Sequence, residues 1–319
     1  MVNTKRRLGV VMDPIANINF NKDTTLAFLL EAQSRGYQIA YMELNDLHIR
    51  DGVAMAATRL LEVRNDARDW FAMGASSVVS LGDLDVILMR KDPPFDMEYI
   101  YATYILELAE QQGAKVVNNP TSLRDVNEKV FIQQFPDCCA PTVVTRDSRQ
   151  VKQFLAEQEH IVVKPLDGMG GTSVFIVRQN DPNLNVILET ITANNSRSIM
   201  AQRFIPEIAA GDKRILMIDG KPIPYALARI PKKGDSRGNL AAGARAEGVA
   251  LTDRDTWICA QVADVLREKE LLFVGLDVIG DYLTEINVTS PTCVRELDTI
   301  YKLNISAELF DAIDNGYGA

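Results

Sequence analysis

Three oxygen-bearing side chains near the end of the chain could hold a divalent cation. Glu285 and Asn287 are two residues apart in a predicted strand, so both side chains point to one face. If the preceding turn has three residues, Gly280–Tyr282, then Asp277 lies opposite Glu285 on that face, whereas a two-residue turn would point Asp277 away. Two carboxylates and an amide oxygen predict a site for Mg²⁺ that bridges nucleotide phosphates. The alternative is a strand with solvated polar side chains.

A glycine-rich stretch contains Gly168, Gly170 and Gly171. A dinucleotide-binding fingerprint must begin a helix, but these glycines are followed by Val174–Val177, which is typical of a strand. The chain also has no GxxxxGK(S/T) sequence, which excludes a P-loop. The pattern predicts a hairpin whose backbone N–H groups close over phosphates, with Lys164 as a nearby positive charge. A plain surface hairpin is the alternative.

Three further basic residues stand next to apolar segments. Lys129 lies in a helix predicted to begin near Asn127, and Arg214 and Arg229 each precede or end an apolar strand. Taken singly, such residues are more often solvated charges than ligands. Together with the glycine hairpin and the acidic strand, they indicate a site for an anionic ligand.

Histidine and cysteine chemistry is largely excluded. The chain has two histidines, His48 and His160, and lacks the HExxH and GxSxG sequences, so neither a zinc enzyme nor a serine hydrolase is indicated. We expect both histidines at the surface. The four cysteines show no metal-ligand spacing, and we expect reduced thiols in a cytoplasmic protein. Cys293, close to the predicted cation site, is expected to pack, with a nucleophile as the alternative.

Composition bounds the class of protein. A chain of 319 residues, 47% hydrophobic and 24% charged, is typical of about two globular domains, or of one large domain with an insertion. The formal net charge of −9 offers no attraction for nucleic acid or an anionic membrane surface. No apolar run approaches the ~18 residues that a spanning helix needs. We therefore expect neither a nucleic-acid nor a membrane partner.

Strand and helix patterns alternate in the N-terminal part of the chain. The predicted elements are strands Leu8–Met12, Tyr37–Met42, Val86–Met89 and Lys115–Val117, and helices Leu26–Arg35 and Met97–Gln112. This alternation is typical of a parallel, doubly wound α/β sheet, in which ligands bind beyond the carboxyl ends of strands. Asp13, Arg90 and Asp92 stand at such ends and predict substrate-binding loops. Turns fixed by proline are the alternative.

After Asn118–Thr121 the pattern changes to paired strands joined by short turns. The predicted pairs are Ile161–Lys164 with Thr172–Val177, Arg214–Ile218 with Pro222–Arg229, and Phe273–Ile279 with Tyr282–Val288. This half of the chain is therefore predicted to be α+β and largely antiparallel. The glycine-rich segment Ile230–Gly248 is predicted to be a mobile loop.

Seven short blocks of sequence carry a resemblance to one family. They are Met12–Asn19, Met89–Asp96, Asn127–Lys129, Lys164–Gly171, Ala228–Pro231, Gly238–Gly243 and Thr284–Thr292. In this order the chain resembles the bacterial glutathione synthetases of the ATP-grasp superfamily, from Leu8 almost to the last residue. The resemblance implies an N-terminal substrate-binding domain (1–122), a central ATP-grasp lid domain (123–202) and a C-terminal ATP-grasp domain with the metal site (203–319).

The same resemblance implies an activity. An enzyme of this kind ligates γ-glutamylcysteine to glycine at the expense of ATP, through an acyl phosphate, and releases ADP and phosphate. It implies Mg²⁺, or alternatively Mn²⁺, as the cofactor, and a cytoplasmic homotetramer.

Carried over to this sequence, the resemblance also assigns residues to roles. The nucleotide-binding residues are Lys129, Lys164, Gly168, Gly170, Gly171, Gln202, Phe204, Ile205 and Asp212. The metal ligands are Asp277, Glu285 and Asn287, and the substrate-binding residues are Asp13, Arg90, Asp92, Ser290 and Thr292. Arg214 and Arg229 hold the substrate carboxylate and the developing oxyanion. Gly168–Gly171 and Ile230–Gly248 are expected to be lids that exclude water.

Three other interpretations stay open at this point. A nucleotide-binding regulator on the same fold would bind ATP without ligating anything. A D-alanine–D-alanine ligase or another peptide ligase would share the nucleotide and metal sites but not the substrate loops. A dehydrogenase is disfavoured because no helix follows the glycine loop.

Overall fold

The computed structural model describes residues 6–168, 170–232 and 245–316. In this part of the chain the strands form three sheets, which follow one another along the sequence. No helix of the described residues is both long enough and apolar enough to cross a membrane.

The first sheet has seven strands. They are β1 (Arg7–Met12), β2 (Gln38–Met42), β3 (Leu47–Arg50), β4 (Val53–Val63), β5 (Phe71–Ser80), β6 (Val86–Arg90) and β7 (Lys115–Val117). The helices of this region are α1 (Thr24–Ser34), α2 (Met97–Gln111) and α3 (Pro120–Asp125). β1 pairs in parallel with β2 and β6, and β6 pairs in parallel with β7, which confirms the four strands predicted from apolar runs.

Helices cover both faces of this parallel core. Val10 on β1 packs in the cluster that contains Leu26 and Leu29 of α1, whereas its neighbour Val11 packs in the cluster that contains Leu106 of α2. Alternate residues of a strand point to opposite faces, so each strand is apolar on both sides. The predicted doubly wound arrangement is therefore confirmed for β2, β1, β6 and β7.

An antiparallel extension of the first sheet was not predicted. β4 pairs antiparallel with β2, β3 and β5, so the sheet is mixed at this end. Alternation is clear on β4, where Ala54, Ala56 and Thr58 are buried, but half of the residues of β5 are exposed and the other half are only partly buried. A strand without a buried face lacks the apolar alternation by which strands are recognised in a sequence.

The second sheet is antiparallel. Its strands are β8 (Thr142–Thr145), β9 (His160–Pro165), β10 (Phe175–Arg178) and β11 (Ile199–Arg203), in the order β10-β9-β11-β8. Helices α4 (Ser148–Gln158) and α5 (Leu184–Ile191) pack on it. β10 begins three residues later than predicted, and Ser173, within the predicted strand, has a positive φ angle, which strands do not adopt.

The third sheet is also antiparallel. Its strands are β12 (Asp212–Ile218), β13 (Lys221–Ile230), β14 (Arg245–Ala250), β15 (Phe273–Ile279) and β16 (Tyr282–Asn287), in the order β14-β13-β12-β15-β16. The helices are α6 (Asp253–Glu268), α7 (Val294–Tyr301) and α8 (Ile305–Asp314). Ile215, Leu276 and Val278 pack in one core with Ile258 and Val262 of α6, so the other face of these strands is left for the cavity described below.

Two sequence-based predictions fall on the borders of the described residues. The predicted mobile loop Ile230–Gly248 begins at the last residue of β13 and ends within β14. Its residues 233–244, like Met169 of the glycine hairpin, lie outside the described residues, so both lids stay predictions. The predicted domain boundaries are also untested, although the three sheets divide close to them.

The β15–β16 hairpin does not have the three-residue turn considered above, yet Asp277 still lies opposite Glu285. The turn has two residues, Gly280 and Asp281, and not the three that would place Asp277 opposite Glu285. A bulge compensates, because Val278 pairs with Leu283 while Asp277 pairs with Glu285, which leaves Thr284 as the extra residue. The hydroxyl of Thr284 donates to the carbonyl of Asp277 at 3.0 Å and stabilises this bulge.

Candidate active site

A cavity of about 300 Å³ lies between the three sheets, within the size range of small-molecule sites. The predicted site residues line it, with the exception of Asp13 and Arg90. Those that line it are Asp92, Lys129, Lys164, Gly168, Gly170, Gly171, Gln202, Phe204, Ile205, Asp212, Arg214, Arg229, Asp277, Glu285, Asn287, Ser290 and Thr292. The fold thus gathers residues that are up to two hundred positions apart in the sequence.

Strand register places the charged residues of the third sheet on one face. Asp212 is the direct partner of Arg229, and Arg214 is the direct partner of Asp277, which in turn pairs with Glu285. Directly opposed residues of antiparallel strands share a face and lie within contact distance. The resulting row of acidic and basic side chains forms one wall of the cavity.

Two buried arginines share one carboxylate in this wall. Arg214 Nη2 donates to Asp277 Oδ2 at 3.0 Å, and its Nε donates to Oδ1 of the same residue. Arg229 Nη2 lies 2.8 Å from Asp277 Oδ2 and also donates to Asp212 Oδ2. Arg214 and Arg229 are each only 6% exposed. We call Arg214, Arg229, Asp212 and Asp277 the arginine wall.

The two acids of the arginine wall have opposite pKa shifts. Burial alone would raise the pKa of Asp277, but Arg214 and Arg229 together hold it below its ordinary value. Burial raises the pKa of Asp212, and the nearby charge of Asp277 adds to this, against the opposing effect of Arg229. Asp212 Oδ1 is buried without a hydrogen-bond partner in the described structure. Asp277 is therefore the fully paired anion, and Asp212 is held less completely.

Two lysines enter the cavity from outside the third sheet. Lys129 Nζ donates to the carbonyl of Gly168 at 2.7 Å, and Lys164 Nζ, on β9, donates to that of Thr284 at 3.2 Å. Each ammonium nitrogen is 3.7 Å from Glu285 Oε1. Burial lowers the pKa of Lys164, and Lys129 adds to this effect while Glu285 opposes it. A bound anion would relieve this cost, so the pair fits phosphate oxygens.

The helix predicted near Asn127 is absent, and this is a correction. Asn127 Oδ1 accepts the N–H groups of Lys129 and Val130, at 3.1 and 3.0 Å, and so forms a turn. Only a short 3-10 helix, Phe131–Gln134, follows. Asparagine competes with helical hydrogen bonds in this way, and here the turn aims Lys129 at the cavity.

Glu285 and Asn287 present oxygen atoms beside the lysines. The amide nitrogen of Asn287 donates to the carbonyl of Gly275 at 3.2 Å, which leaves the amide oxygen for a cation. Among the described residues, no group of three or more His, Cys, Asp or Glu side chains is arranged to hold a metal ion. The acidic side chains of the described residues therefore form no complete metal site on their own.

The glycine hairpin covers one side of the cavity. Gly170 and Gly171 have φ angles of 67° and 75°, which glycine adopts without strain. At Gly168 a Cβ atom would stand 2.9 Å from Pro165 Cγ, too close for a real contact. These positions bring bare backbone to the cavity beside Lys129, where N–H groups can meet phosphate oxygens.

An apolar part of the cavity lies at the end of β11. Phe204 and Ile205 line it together with Ile208, and Gln202 Nε2 donates to Thr142 Oγ1 at 3.0 Å. His160, expected at the surface, is half-buried and stacks on Phe204 with ring centroids 4.0 Å apart. The prediction for His160 was wrong because Phe204 follows the strand that pairs with β9 and so covers the ring.

The N-terminal loops reach the cavity only in part. Asp13 does not line it; instead, its carboxylate contacts Lys91 Nζ at 2.9 Å and accepts the N–H of Asp92 at 3.0 Å. Arg90 does not line the cavity either; it is buried, and its Nη2 donates to the carbonyl of Pro291 at 2.9 Å. Both residues therefore hold neighbours that do line the cavity, namely Asp92 and the segment from Ser290 to Thr292.

Sequence reasoning missed several residues of the site. Glu128 and Thr289 line the cavity and contact each other. In the sequence they stand beside the predicted site residues Lys129 and Ser290, but nothing in their own residue types or spacing indicated a role. Cys293, which the sequence analysis did single out, also lines the cavity, is 1% exposed, and has a thiol pKa that burial raises despite Arg214 and Arg229. A raised pKa disfavours the thiolate, which agrees with packing instead of nucleophilic attack. All four cysteines are free thiols.

Two family models match the chain almost end to end. The model of the prokaryotic glutathione synthetase N-terminal domain matches residues 7–124, and that of the prokaryotic glutathione synthetase ATP-grasp domain matches residues 128–302. The chain belongs to the prokaryotic glutathione synthetase family. This confirms the predicted class, an ATP-dependent ligase that forms glutathione.

Relatives of the family are similar over nearly their whole length. The glutathione synthetase of Pseudomonas aeruginosa is 61% identical over 307 residues, which cover 96% of this chain and 97% of that protein. That of Vibrio cholerae is 56% identical, with 97% of each chain covered.

Solved structures support the fold at lower identity. A D-cycloserine synthetase superposes with a TM-score of 0.66 at 14% identity, over 96% of this chain and 99% of that one. The D-alanyl-alanine synthetase A of Vibrio cholerae gives a TM-score of 0.60 at 14% identity, over 98% of each chain. At this identity they support the ATP-grasp fold alone.

Proposed function

We propose that this chain joins γ-glutamylcysteine to glycine through an acyl phosphate formed in the cavity. A carboxylate is too poor an electrophile for an amine. The cysteinyl carboxylate therefore attacks the γ-phosphorus of ATP, and the bond to the bridging oxygen of ADP breaks. The glycine amine then attacks the acyl carbon, the carbon–oxygen bond to phosphate breaks, and the ammonium proton is lost to solvent. ADP, phosphate and glutathione are the products.

One observation carries this proposal. The cavity has two groups of buried cations, Lys129 with Lys164 on one side and Arg214 with Arg229 on the other. Phosphoryl transfer from ATP to a carboxylate needs positive charge at the phosphates and at the acceptor carboxylate together. Side-chain nucleophiles are not required, since the substrate carboxylate itself attacks the phosphorus.

The lysine side suits the nucleotide. Lys129 and Lys164 are the predicted ligands of the phosphates, and the backbone of Gly168, Gly170 and Gly171 would cover the phosphates. The apolar end near Phe204 and Ile205 accommodates the adenine ring, with Gln202 beside it. Asp212, whose Oδ1 is unpartnered, is proposed to face the nucleotide as well. Exclusion of water matters here, because acyl phosphates hydrolyse.

The arginine wall suits the reacting carboxyl group. Asp277 fixes Arg214 and Arg229 in position before the substrate arrives, so their remaining N–H groups are preorganised. We assign Arg229 to the oxyanion of the tetrahedral intermediate and Arg214 to the substrate carboxylate. Ser290 and Thr292, with Asp92 across the cavity, would hold the rest of the dipeptide.

The oxygen ligands present fit Mg²⁺ as the proposed cofactor. Glu285 and Asn287 supply a carboxylate and an amide oxygen, and the phosphates would complete the coordination. Asp277, the third predicted ligand, is already paired with Arg214 and Arg229, so any contact with the ion would compete with these arginines. The ion would neutralise charge on the transferring phosphoryl group. Mn²⁺ accepts the same ligands. A homotetramer and a cytoplasmic location remain part of the proposal on the strength of the family resemblance.

Release of ADP measured with each substrate omitted in turn tests the proposal. We expect release to require both γ-glutamylcysteine and glycine. When glycine is omitted and hydroxylamine is added to the protein with ATP and γ-glutamylcysteine, the hydroxamate of γ-glutamylcysteine should form, because hydroxylamine traps an acyl phosphate. Release without the dipeptide, or an equal rate with D-alanine in place of both substrates, would contradict it.

A further inference from the structure

Glu128 has no part in the mechanism above, although its carboxylate joins two sections of the cavity wall. Its Oε1 accepts three hydrogen bonds, from the N–H of Val288 at 2.9 Å, the N–H of Thr289 at 3.0 Å and the hydroxyl of Thr289 at 2.9 Å. Its backbone carbonyl accepts the N–H of Ile286 at 2.9 Å. One residue thus binds four donors, one near the end of β16 and three on the segment that continues it.

The position of β16 explains why these donors need Glu128. β16 is an edge strand of the third sheet, so its outward N–H groups have no strand partner. Unpaired buried N–H groups are costly, and a carboxylate oxygen accepts more strongly than a neutral one. Glu128 therefore acts as a substitute for the missing strand at the point where the chain turns into Ser290.

The neighbours of Glu128 bind the segment between β9 and the glycine hairpin. Asn127 Nδ2 donates to the carbonyl of Leu166 at 3.1 Å, and Lys129 Nζ donates to that of Gly168 at 2.7 Å. The tripeptide Asn127–Lys129 is thus attached to the glycine hairpin at its two ends and to the end of β16 at its centre.

We propose that Glu128 is a positioning residue of the ligation, which holds Lys129 in register with the segment from Glu285 to Ser290. This rests on the proposed function, in which Lys129 binds phosphate while Ser290 binds the dipeptide. Both ends must meet within one transition state, and a displacement of 1 Å can cost about 10²-fold in rate. The role assigned to Glu128 is indirect, because its carboxylate holds Val288 and Thr289, which lead to Ser290.

The Glu128→Gln variant tests the proposal directly, because it keeps the size of the side chain and removes its charge. We expect kcat for ADP release, with saturating γ-glutamylcysteine and glycine, to fall at least tenfold. The Kd of the non-hydrolysable analogue AMPPNP, measured by calorimetry without dipeptide, should change less than threefold, because Lys129 keeps its contact with Gly168. A purely structural role would not separate these two quantities.

Thr289 provides a second, independent pair of variants. Thr289→Val removes the hydroxyl donor at nearly constant volume, and we expect kcat to fall about threefold to tenfold, again with AMPPNP affinity nearly unchanged. Thr289→Ser keeps the donor and should stay within twofold of the unsubstituted protein. The double variant with Glu128→Gln should lose less than the product of the single losses, since both changes remove one contact. This pair decides the matter if Glu128→Gln folds poorly.

Glu43→Gln is the matched control. Glu43 also accepts a side-chain hydrogen bond, from Tyr41 Oη at 2.6 Å, but does not line the cavity, so kcat should stay within twofold. The proposal is overturned if Glu128→Gln keeps kcat within twofold, or if kcat and AMPPNP affinity fall together by the same factor. If the unsubstituted protein released ADP at the same rate without dipeptide or without glycine, the proposed function would be overturned instead. That measurement does not involve any Glu128 variant, so the two failures can be distinguished.

Discussion

The two pairs of basic residues in the cavity differ in how far acidic side chains neutralise their charge. In the arginine wall, Arg214 and Arg229 are direct ion-pair partners of Asp277, on neighbouring strands of one sheet. On the other side, Lys129 and Lys164 donate to backbone carbonyls and share a single carboxylate, that of Glu285, at 3.7 Å. The arginines are thus neutralised within the protein, whereas the lysines are not.

This difference matches the two ligands that the sides are proposed to meet. Nucleotide phosphates bring several negative charges, so a lysine pair with excess positive charge gains most from binding them. A tetrahedral oxyanion exists only briefly, so the groups that stabilise it must be in position beforehand. The four predictions that follow test whether the arginine wall is preorganised and whether Lys129 and Lys164 keep an excess of positive charge until an anionic ligand binds.

The largest effect is expected from Asp277→Asn. It would leave Arg214 and Arg229 buried next to a neutral amide, and breaking a buried ion pair in this way costs about 3–5 kcal/mol of the free energy of unfolding. Urea denaturation of the variant measures this directly. The control is Asp69→Asn, which breaks an exposed pair with Arg64 and should change stability by less than about 1 kcal/mol. Equal losses in both variants would contradict a preorganised arginine wall.

Arg229→Ala should act on turnover more than on nucleotide binding. Removal of one preorganised oxyanion donor typically lowers kcat by about 10²–10³-fold, or roughly 2.7–4 kcal/mol of barrier. Arg229→Lys should recover only part of the loss, since an ammonium does not reproduce the planar fork of a guanidinium. Steady-state kinetics at varied ATP would check this. A raised KM for ATP with unchanged kcat would assign Arg229 to nucleotide binding instead.

Lys164→Met should show the opposite pattern. We expect the affinity for AMPPNP to fall by about tenfold or more, the worth of a hydrogen bond to a charged group. Stability should stay within about 1 kcal/mol, because the burial that lowers the pKa of Lys164 is a cost which the variant removes. Calorimetry and urea denaturation give the two numbers. A loss of stability as large as that of Asp277→Asn would mean that both sides are fully paired.

The smallest effect is expected from Asp212→Asn, in the pH dependence of stability. Because burial raises the pKa of Asp212, the folded protein binds this proton more tightly than the unfolded chain. The free energy of unfolding therefore falls as the pH rises from the ordinary carboxyl range through the raised pKa. An amide does not ionise, so the variant should lose less stability than the unsubstituted protein as the pH rises from about 4 through about 7, the raised pKa of Asp212. Parallel curves would contradict the raised pKa.

Much of the fold and of the candidate site could be predicted from the sequence, because the relevant signals are local. Apolar runs located β1, β2, β6 and β7, and two-residue periodicity placed Glu285 and Asn287 on one face. The hairpin β4–β5 could not be found in this way, since β5 lacks a buried face. The surface prediction for His160 was wrong for a similar reason, because Phe204 covers it only after β11 pairs with β9.

By itself, the sequence determined which residue types were available and which faces of single elements they occupy. Tertiary structure alone decided which of these faces meet. The bulge at Thr284 restored the pairing of Asp277 with Glu285 after a two-residue turn had shifted it. The register of β12 brought Arg214 to Asp277, and Glu128 reached the end of β16 from 160 residues away. Such contacts depend on the packing of whole sheets, for which no local pattern of residues carries a signal.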